Sequence, residues 1–204
     1  MLHSKKTKIG ISPWSMVLLA LFLIFASPDA LGAVLLAALC HELGHWLVAG
    51  LCGAGVEELY VSPFGVRMRL PQRPTLSYGR EFLVVVAGPA VNVVLALLFA
   101  RCGIYGSLFY TLAGAQLVLG AFNLLPIRPM DGGRMLWLAM AWGTESITAD
   151  RLMGWIEFAA FILLFLLSVW IWRETGSPFL SLASLGMGKS LWQEKKLVIE
   201  RKRR

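Results

Sequence analysis

Long uncharged apolar runs alternate with short polar stretches along the chain. Ile9 to Pro28 carries no charge, Ala30 to Val56 carries only Glu42, and Phe82 to Ala100 and Ile104 to Ile127 carry none. Phe158 to Trp172 is also uncharged, and starting that run at Leu152 makes it long enough to cross a bilayer. A membrane-spanning helix needs about 20 mostly apolar residues, so this pattern predicts five spans. A further apolar stretch, Gly176 to Trp192, is interrupted by Lys189, and Met135 to Trp142 is too short to span alone.

Between the second and third runs the pattern changes. Val66-Arg67-Met68-Arg69-Leu70 alternates apolar and basic residues, which is strand periodicity. Leu59 and Val61 supply a partner strand, with Pro63 and Gly65 at the turn, and Pro71 and Pro74 end the extended stretch. The expected fold is therefore an all-α integral membrane protein of five or six transmembrane helices with a short membrane-associated β-hairpin. It is expected to form one membrane-embedded domain over residues 1–204, with a core at 30–134 and a basic tail at 174–204.

Composition narrows the class. The chain is 57% hydrophobic and 15% charged, with mean hydropathy +0.69, where soluble domains carry about 25% charged residues. An ordinary cytosolic enzyme, a disordered segment and a disulfide scaffold are excluded. Three cysteines, Cys40, Cys52 and Cys102, sit in or beside apolar runs and imply no disulfide framework.

The net charge of +7 is concentrated at the ends, with Lys5, Lys6 and Lys8 at one and Lys189 to Arg204 at the other. Such ends suit anionic lipid headgroups on the cytoplasmic side; no basic domain exists to hold nucleic acid. Arg67, Arg69, Arg73 and Arg80 follow the second run, and Arg128, Arg134 and Arg151 follow the fourth. The opposite loops hold Arg101 and Asp29. The N-terminus is thus expected inside, and the second span runs from outside to inside. Five spans would put the basic tail outside, and a sixth within Gly176 to Trp192 would return it.

The chemistry lies in His41-Glu42-Leu43-Gly44-His45, inside the second run. On a helix, residues i and i+4 share a face, so both imidazoles can reach one metal. Such a pattern arises often in soluble helices as merely exposed polar residues. Here the flanks are apolar, and ionisable groups at bilayer depth are costly and functional by default. Zinc suits this ligand type, with a water in the position left open. Glu42 would then take the water's proton as general base and return it to the leaving amine.

A third ligand is needed, and His3 is the only other histidine. Asp131 stands out in Asn123-Leu-Leu-Pro-Ile-Arg-Pro-Met-Asp131-Gly-Gly-Arg134. Pro126 and Pro129 oppose a regular helix there, and Gly132-Gly133 permits close backbone approach. Irregular backbone at membrane depth is tolerated where it lines a protein cavity or water. The alternative is a turn carboxylate capping the helix that begins near Arg134.

These motifs resemble those of the site-2 protease family of intramembrane zinc metalloproteases. His-Glu-Leu-Gly-His at 41–45 and Asn-Leu-Leu-Pro-x-x-Pro-Met-Asp-Gly-Gly at 123–133 match two signature elements, and Gly88-Pro89-Ala-Val-Asn92 resembles a third. The resemblance implies one catalytic zinc ion held by His41, His45 and Asp131, with Glu42 as the catalytic glutamate. It implies that Asn123 positions substrate or stabilises a developing oxyanion, a contribution of about 3 kcal/mol for such donors; a buried asparagine bonding a neighbouring helix is the alternative. Gly88, Pro89 and Asn92 would shape and pack the third span, and the hairpin edge could pair with an extended substrate.

The sequence most resembles the compact bacterial branch that includes proteases processing a membrane-associated pro-sigma factor, with no PDZ or CBS domain. The implied activity is cleavage of a peptide bond in or near the membrane segment of another protein, with the active-site opening cytoplasmic. The implied partners are a membrane or membrane-associated protein substrate, the lipid bilayer and room for a regulatory membrane partner. Two rivals belong to other classes. A membrane metal transporter would need polar ligands staged along a path, and the other runs offer almost none. A non-cleaving, client-binding relative is opposed by the intact His41, Glu42, His45 and Asp131. A prenyl-type membrane protease with the same zinc motif is opposed by the motif around Asp131.

Overall fold

The structure is a computed structural model that describes residues 27–54, 76–128 and 130–174 in full, with the backbone of 8–11, 58–62, 65–69 and 175. In chain order the elements are β1 (Lys8–Ile11), α1 (Pro28–Leu51), β2 (Glu58–Ser62), β3 (Gly65–Arg69), α2 (Tyr78–Cys102), α3 (Ser107–Asn123), α4 (Asp131–Gly143) and α5 (Ser146–Thr175), with a 3-10 turn at Gly103–Tyr105. They divide between two compact units, Met1–Leu124 and Leu125–Arg204.

The first unit is built on α1, α2 and α3. Ser27 caps α1 by accepting a hydrogen bond from the Ala30 N–H at 3.3 Å, with Pro28 and Asp29 in the first turn, where a fixed φ and a negative charge both favour a helix start. The buried residues of α1 are Ala33, Ala37, His41, Gly44, His45 and Ala49, nearly all four apart, so they form one stripe. Its large side chains, among them Leu35, Leu39, Leu47 and Trp46, face outward. This small-inside, large-outside order suits helices packing in lipid, where Leu gains little by leaving the hydrocarbon and small residues let backbones approach. In α3 the stripe is Ala113, Gln116, Gly120 and Asn123, while Leu117 and Val118 are exposed.

Three helices, Pro28–Leu51, Tyr78–Tyr105 and Ser146–Glu174, are long and apolar enough to cross a membrane among the described residues. Among the described residues this corrects the expected count, in which the run Ile104 to Ile127 is a further span. The apolar run Ile104 to Ile127 contains α3, which has only 17 residues, about 25 Å, less than the roughly 30 Å hydrocarbon core. The helix stops at Asn123 because the chain turns irregular at Leu124, just before Pro126. The run beginning at Ile9 opens in β1 rather than in helix; residues 12–26, the stretch Gly176 to Trp192 and the basic tail beyond Thr175 lie outside the described residues.

The expected all-α fold with a short membrane-associated β-hairpin is also corrected. Strand β1 pairs parallel to β2, Lys8 opposite Glu58 and Ile11 opposite Val61, and β2 pairs antiparallel to β3, Glu58 opposite Arg69 and Ser62 opposite Gly65. The result is one three-stranded sheet in the order β1-β2-β3. Parallel neighbours need a long crossover, and α1 lies in the chain between β1 and β2. No short-range sequence pattern encodes that pairing.

In the second unit, α4 and α5 pack together. The buried Ala149, Met153 and Glu157 of α5 stand four apart and form one face. Ile127 and Met130, in the stretch that leads into α4, are also buried.

Candidate metal centre

His41 and His45 lie on successive turns of α1 and are both buried. Each ring is held through its Nδ1. The Nδ1 of His45 meets the Val84 carbonyl of α2 at 2.7 Å. A carbonyl only accepts, so this nitrogen carries the proton. The Nδ1 of His41 meets the side-chain oxygen of Asn92, also on α2. That amide's nitrogen donates to the Ala37 carbonyl at 3.3 Å, so its oxygen faces His41.

Both Nε2 atoms therefore present lone pairs, and they stand 3.1 Å apart with the rings edge-to-face at 83°. Two nitrogens bound to one tetrahedral zinc at 2.0–2.1 Å would be about 3.3 Å apart, so the pair fits a shared cation. His41 and His45 belong to the first unit, and Asp131, the third candidate from the sequence, to the second. Two imidazoles and a carboxylate form a ligand set that suits zinc. Gly88 of α2 makes room for the rings: a Cβ there would overlap the His45 imidazole.

Asp131 is the first residue of α4, and the segment before it is anchored within its own unit. The buried carboxylate of Glu157 on α5 accepts from the Arg128 backbone N–H at 2.9 Å, from its Nε at 2.8 Å and from its Nη2 at 3.1 Å. Arg128 also meets Asp150 at 3.4 Å, which accepts from the Trp137 indole at 3.0 Å. The first turn of α4 runs so close to this segment that a Cβ on Gly133 would overlap the Ile127 backbone. Glu42 is half-buried on α1 between the two histidines, and Asn123 is buried at the end of α3.

Asn92, expected to pack the third span, bonds a histidine of the pair. The available signal is its position one turn after Gly88 on the same helix face. No motif in the sequence marks Gln116 or Glu157. Both are fully or nearly fully buried polar groups in apolar runs, which alone marks them for attention at membrane depth. The three cysteines are free thiols.

The model of peptidase family M50 matches residues 30–108 and 99–167 of this chain. Stage IV sporulation protein FB of Bacillus subtilis is 32% identical over 135 residues, covering 64% of this chain and 47% of that protein. A zinc metalloprotease of Methanocaldococcus jannaschii is 37% identical over 103 residues, 47% of this chain and 30% of its own length. The chain thus spans less than half the length of these curated relatives. The solved structure of a site-2 protease from Methanocaldococcus jannaschii has the same fold, with TM-score 0.66 at 22% identity over 95% of this chain and 93% of that one.

Proposed function

The chain belongs to peptidase family M50, and from that premise we propose that it is a zinc endopeptidase of the membrane, cleaving a peptide bond in or near the membrane segment of a protein substrate. The observation that carries this reading is the pair of Nε2 atoms 3.1 Å apart, each on a ring whose Nδ1 is already engaged.

His41, His45 and Asp131 would hold one zinc ion. When bound there, such an ion would supply Lewis-acid chemistry toward a water and the scissile carbonyl. Glu42 takes the proton from the attacking water and delivers it to the leaving nitrogen. Asn123 offers a donor toward the carbonyl oxygen as charge develops there. Helical peptide bonds are shielded by their own hydrogen bonds, so the substrate presents an unwound or extended stretch.

The protein is a membrane protein with apolar spanning helices. The basic residues after Val56 and after Ile127 support a cytoplasmic N-terminus and a site opening toward the cytoplasm. Similarity to a sporulation protein and to zinc metalloproteases supports a membrane-associated protein substrate.

The deciding experiment is Glu42→Gln, co-expressed with membrane-anchored candidate precursors, with zinc content measured in the purified protein. Loss of the shortened product with zinc retained is the expected result. Retained cleavage would remove Glu42 from the base role, and absence of zinc from the unaltered protein would overturn the metalloprotease reading. For sidedness, a single cysteine at Arg73 or Arg128 in a background lacking Cys40, Cys52 and Cys102 is expected to react only with reagent that enters the cytoplasm. Labelling by an impermeant reagent from outside would invert the topology.

A further inference from the structure

Gln116 is fully buried in α3, in an otherwise apolar stretch. Its Oε1 accepts a hydrogen bond from Asn92 Nδ2, and Asn92 is fully buried as well. Asn92 in turn directs its oxygen to His41 Nδ1. A chain of polar groups thus runs from α3 through α2 to α1 and ends on a ring of the histidine pair. We propose that Gln116 is a positioning residue for the metal site, one that holds the Asn92 amide in place against His41, so that Asn92 decides which ring nitrogen of His41 carries the proton and which can bind metal. The inference rests on the metal-site reading above.

The physical basis is direction. An amide has a donor end and an acceptor end, and the two occupy nearly the same space. With its oxygen toward His41, Asn92 selects the tautomer protonated at Nδ1 and leaves the Nε2 lone pair for a ligand bond. Turned over, it would offer an N–H to Nδ1, select the tautomer protonated at Nε2, and abolish that lone pair. The Ala37 carbonyl at 3.3 Å opposes the flip, and the bond to Gln116 keeps the Asn92 side chain within reach of both Ala37 and His41.

A glutamine that served only to join helices would gain by pairing both its ends. Gln116 pairs one: its Nε2 finds no acceptor among the described residues. The end it does use meets the amide that faces His41. Partners behind metal-ligating histidines commonly control tautomer and ring orientation, and their loss typically weakens metal binding by about 10–100-fold.

The test uses the full chain purified in detergent, stripped of metal and titrated with zinc against a competing chelator. The variants are Gln116→Met, Gln116→Glu, Asn92→Ala and the double variant. Gln116→Met removes the acceptor at similar volume and is expected to weaken zinc binding about tenfold, whereas Gln116→Glu keeps an acceptor oxygen there and restores most of it. In the Asn92→Ala background, Gln116→Met is expected to cause no further loss, because its effect passes through Asn92.

A second readout is independent of affinity. With three histidines in the chain, nitrogen-15 spectra of histidine-labelled, metal-free protein are expected to show His41 protonated at Nδ1 in the wild type and mixed in Gln116→Met. If Gln116→Met does not fold, the same spectra of Gln116→Glu carry the test, with the wild-type tautomer expected. Unchanged zinc affinity and tautomer in a folded Gln116→Met, or an undiminished loss in the Asn92→Ala background, overturns the proposal. Failure of the wild-type chain to bind zinc overturns instead the metal-site reading on which it rests.

Discussion

The histidine pair and the segment leading to Asp131 are held by opposite means. His41 is steadied by neutral amides, Asn92 and behind it Gln116, and His45 by a backbone carbonyl. The Asp131 segment is steadied by charge, with Arg128 gripped by Glu157 and touched by Asp150. The difference reflects the task of each region. A metal-binding imidazole must be neutral with a chosen nitrogen free, and neutral amides select a tautomer without placing a net charge beside it. Residues Leu124 to Arg128 are irregular, and the backbone bonds around them are scattered, such as Ile127 to Leu125 at 2.8 Å and Met130 to Ile127 at 2.8 Å. This stretch needs a strong external anchor, which a forked guanidinium and a buried carboxylate provide through several charge-assisted bonds.

This contrast can be broken at four points. The largest effect is expected from Glu157→Leu, which leaves Arg128 without its main counter-charge. Removing one partner of a buried pair costs about 3–5 kcal/mol, so the second unit should unfold at lower temperature and exchange amide hydrogens faster across Leu124 to Met130. A loss below about 1 kcal/mol would place the pair among ordinary surface ion pairs. Next comes Gly88→Ala. The new methyl displaces the His45 ring, and zinc affinity is expected to drop more than about 100-fold, or about 2.7 kcal/mol. Near wild-type affinity would show that α1 and α2 separate easily.

Asp131→Asn replaces a carboxylate by a weaker neutral ligand and should cost between about tenfold and 100-fold in zinc affinity, or about 1.4–2.7 kcal/mol. Unchanged affinity would move Asp131 out of the ligand set. The smallest effect is expected from Arg128→Lys. It keeps the charge but loses the fork, at about 1–2 kcal/mol of stability in the same unfolding measurement. An effect equal to that of Glu157→Leu would mean that geometry, rather than charge, holds the segment.

Much of the candidate site is legible in the amino-acid sequence. His41, Glu42 and His45 stand out because they are polar residues inside an apolar run at helical spacing, and Asp131 because prolines and glycines surround it. The start of α1 at Pro28, capped by Ser27, lies two residues ahead of the apolar run read from Ala30. The span count is not legible in the same way. Hydropathy reports a stretch's tolerance of lipid, but not whether its backbone stays helical, so the run Ile104 to Ile127 reads as one span although its helix ends at Asn123. The run from Ile9 similarly begins in a strand whose partner lies beyond α1.

By itself, then, the chain determined which segments are apolar and which side chains can ligate a metal, because spacing acts within a few residues. The tertiary structure decided which polar groups answer one another. His41 meets Asn92 51 residues away, His45 meets Val84 39 residues away, Asn92 meets Gln116 24 residues away, and Arg128 meets Glu157 29 residues away. No local propensity encodes such pairings. They form because helix packing withdraws these groups from water, and each buried donor or acceptor must then find its complement wherever the fold has brought one near.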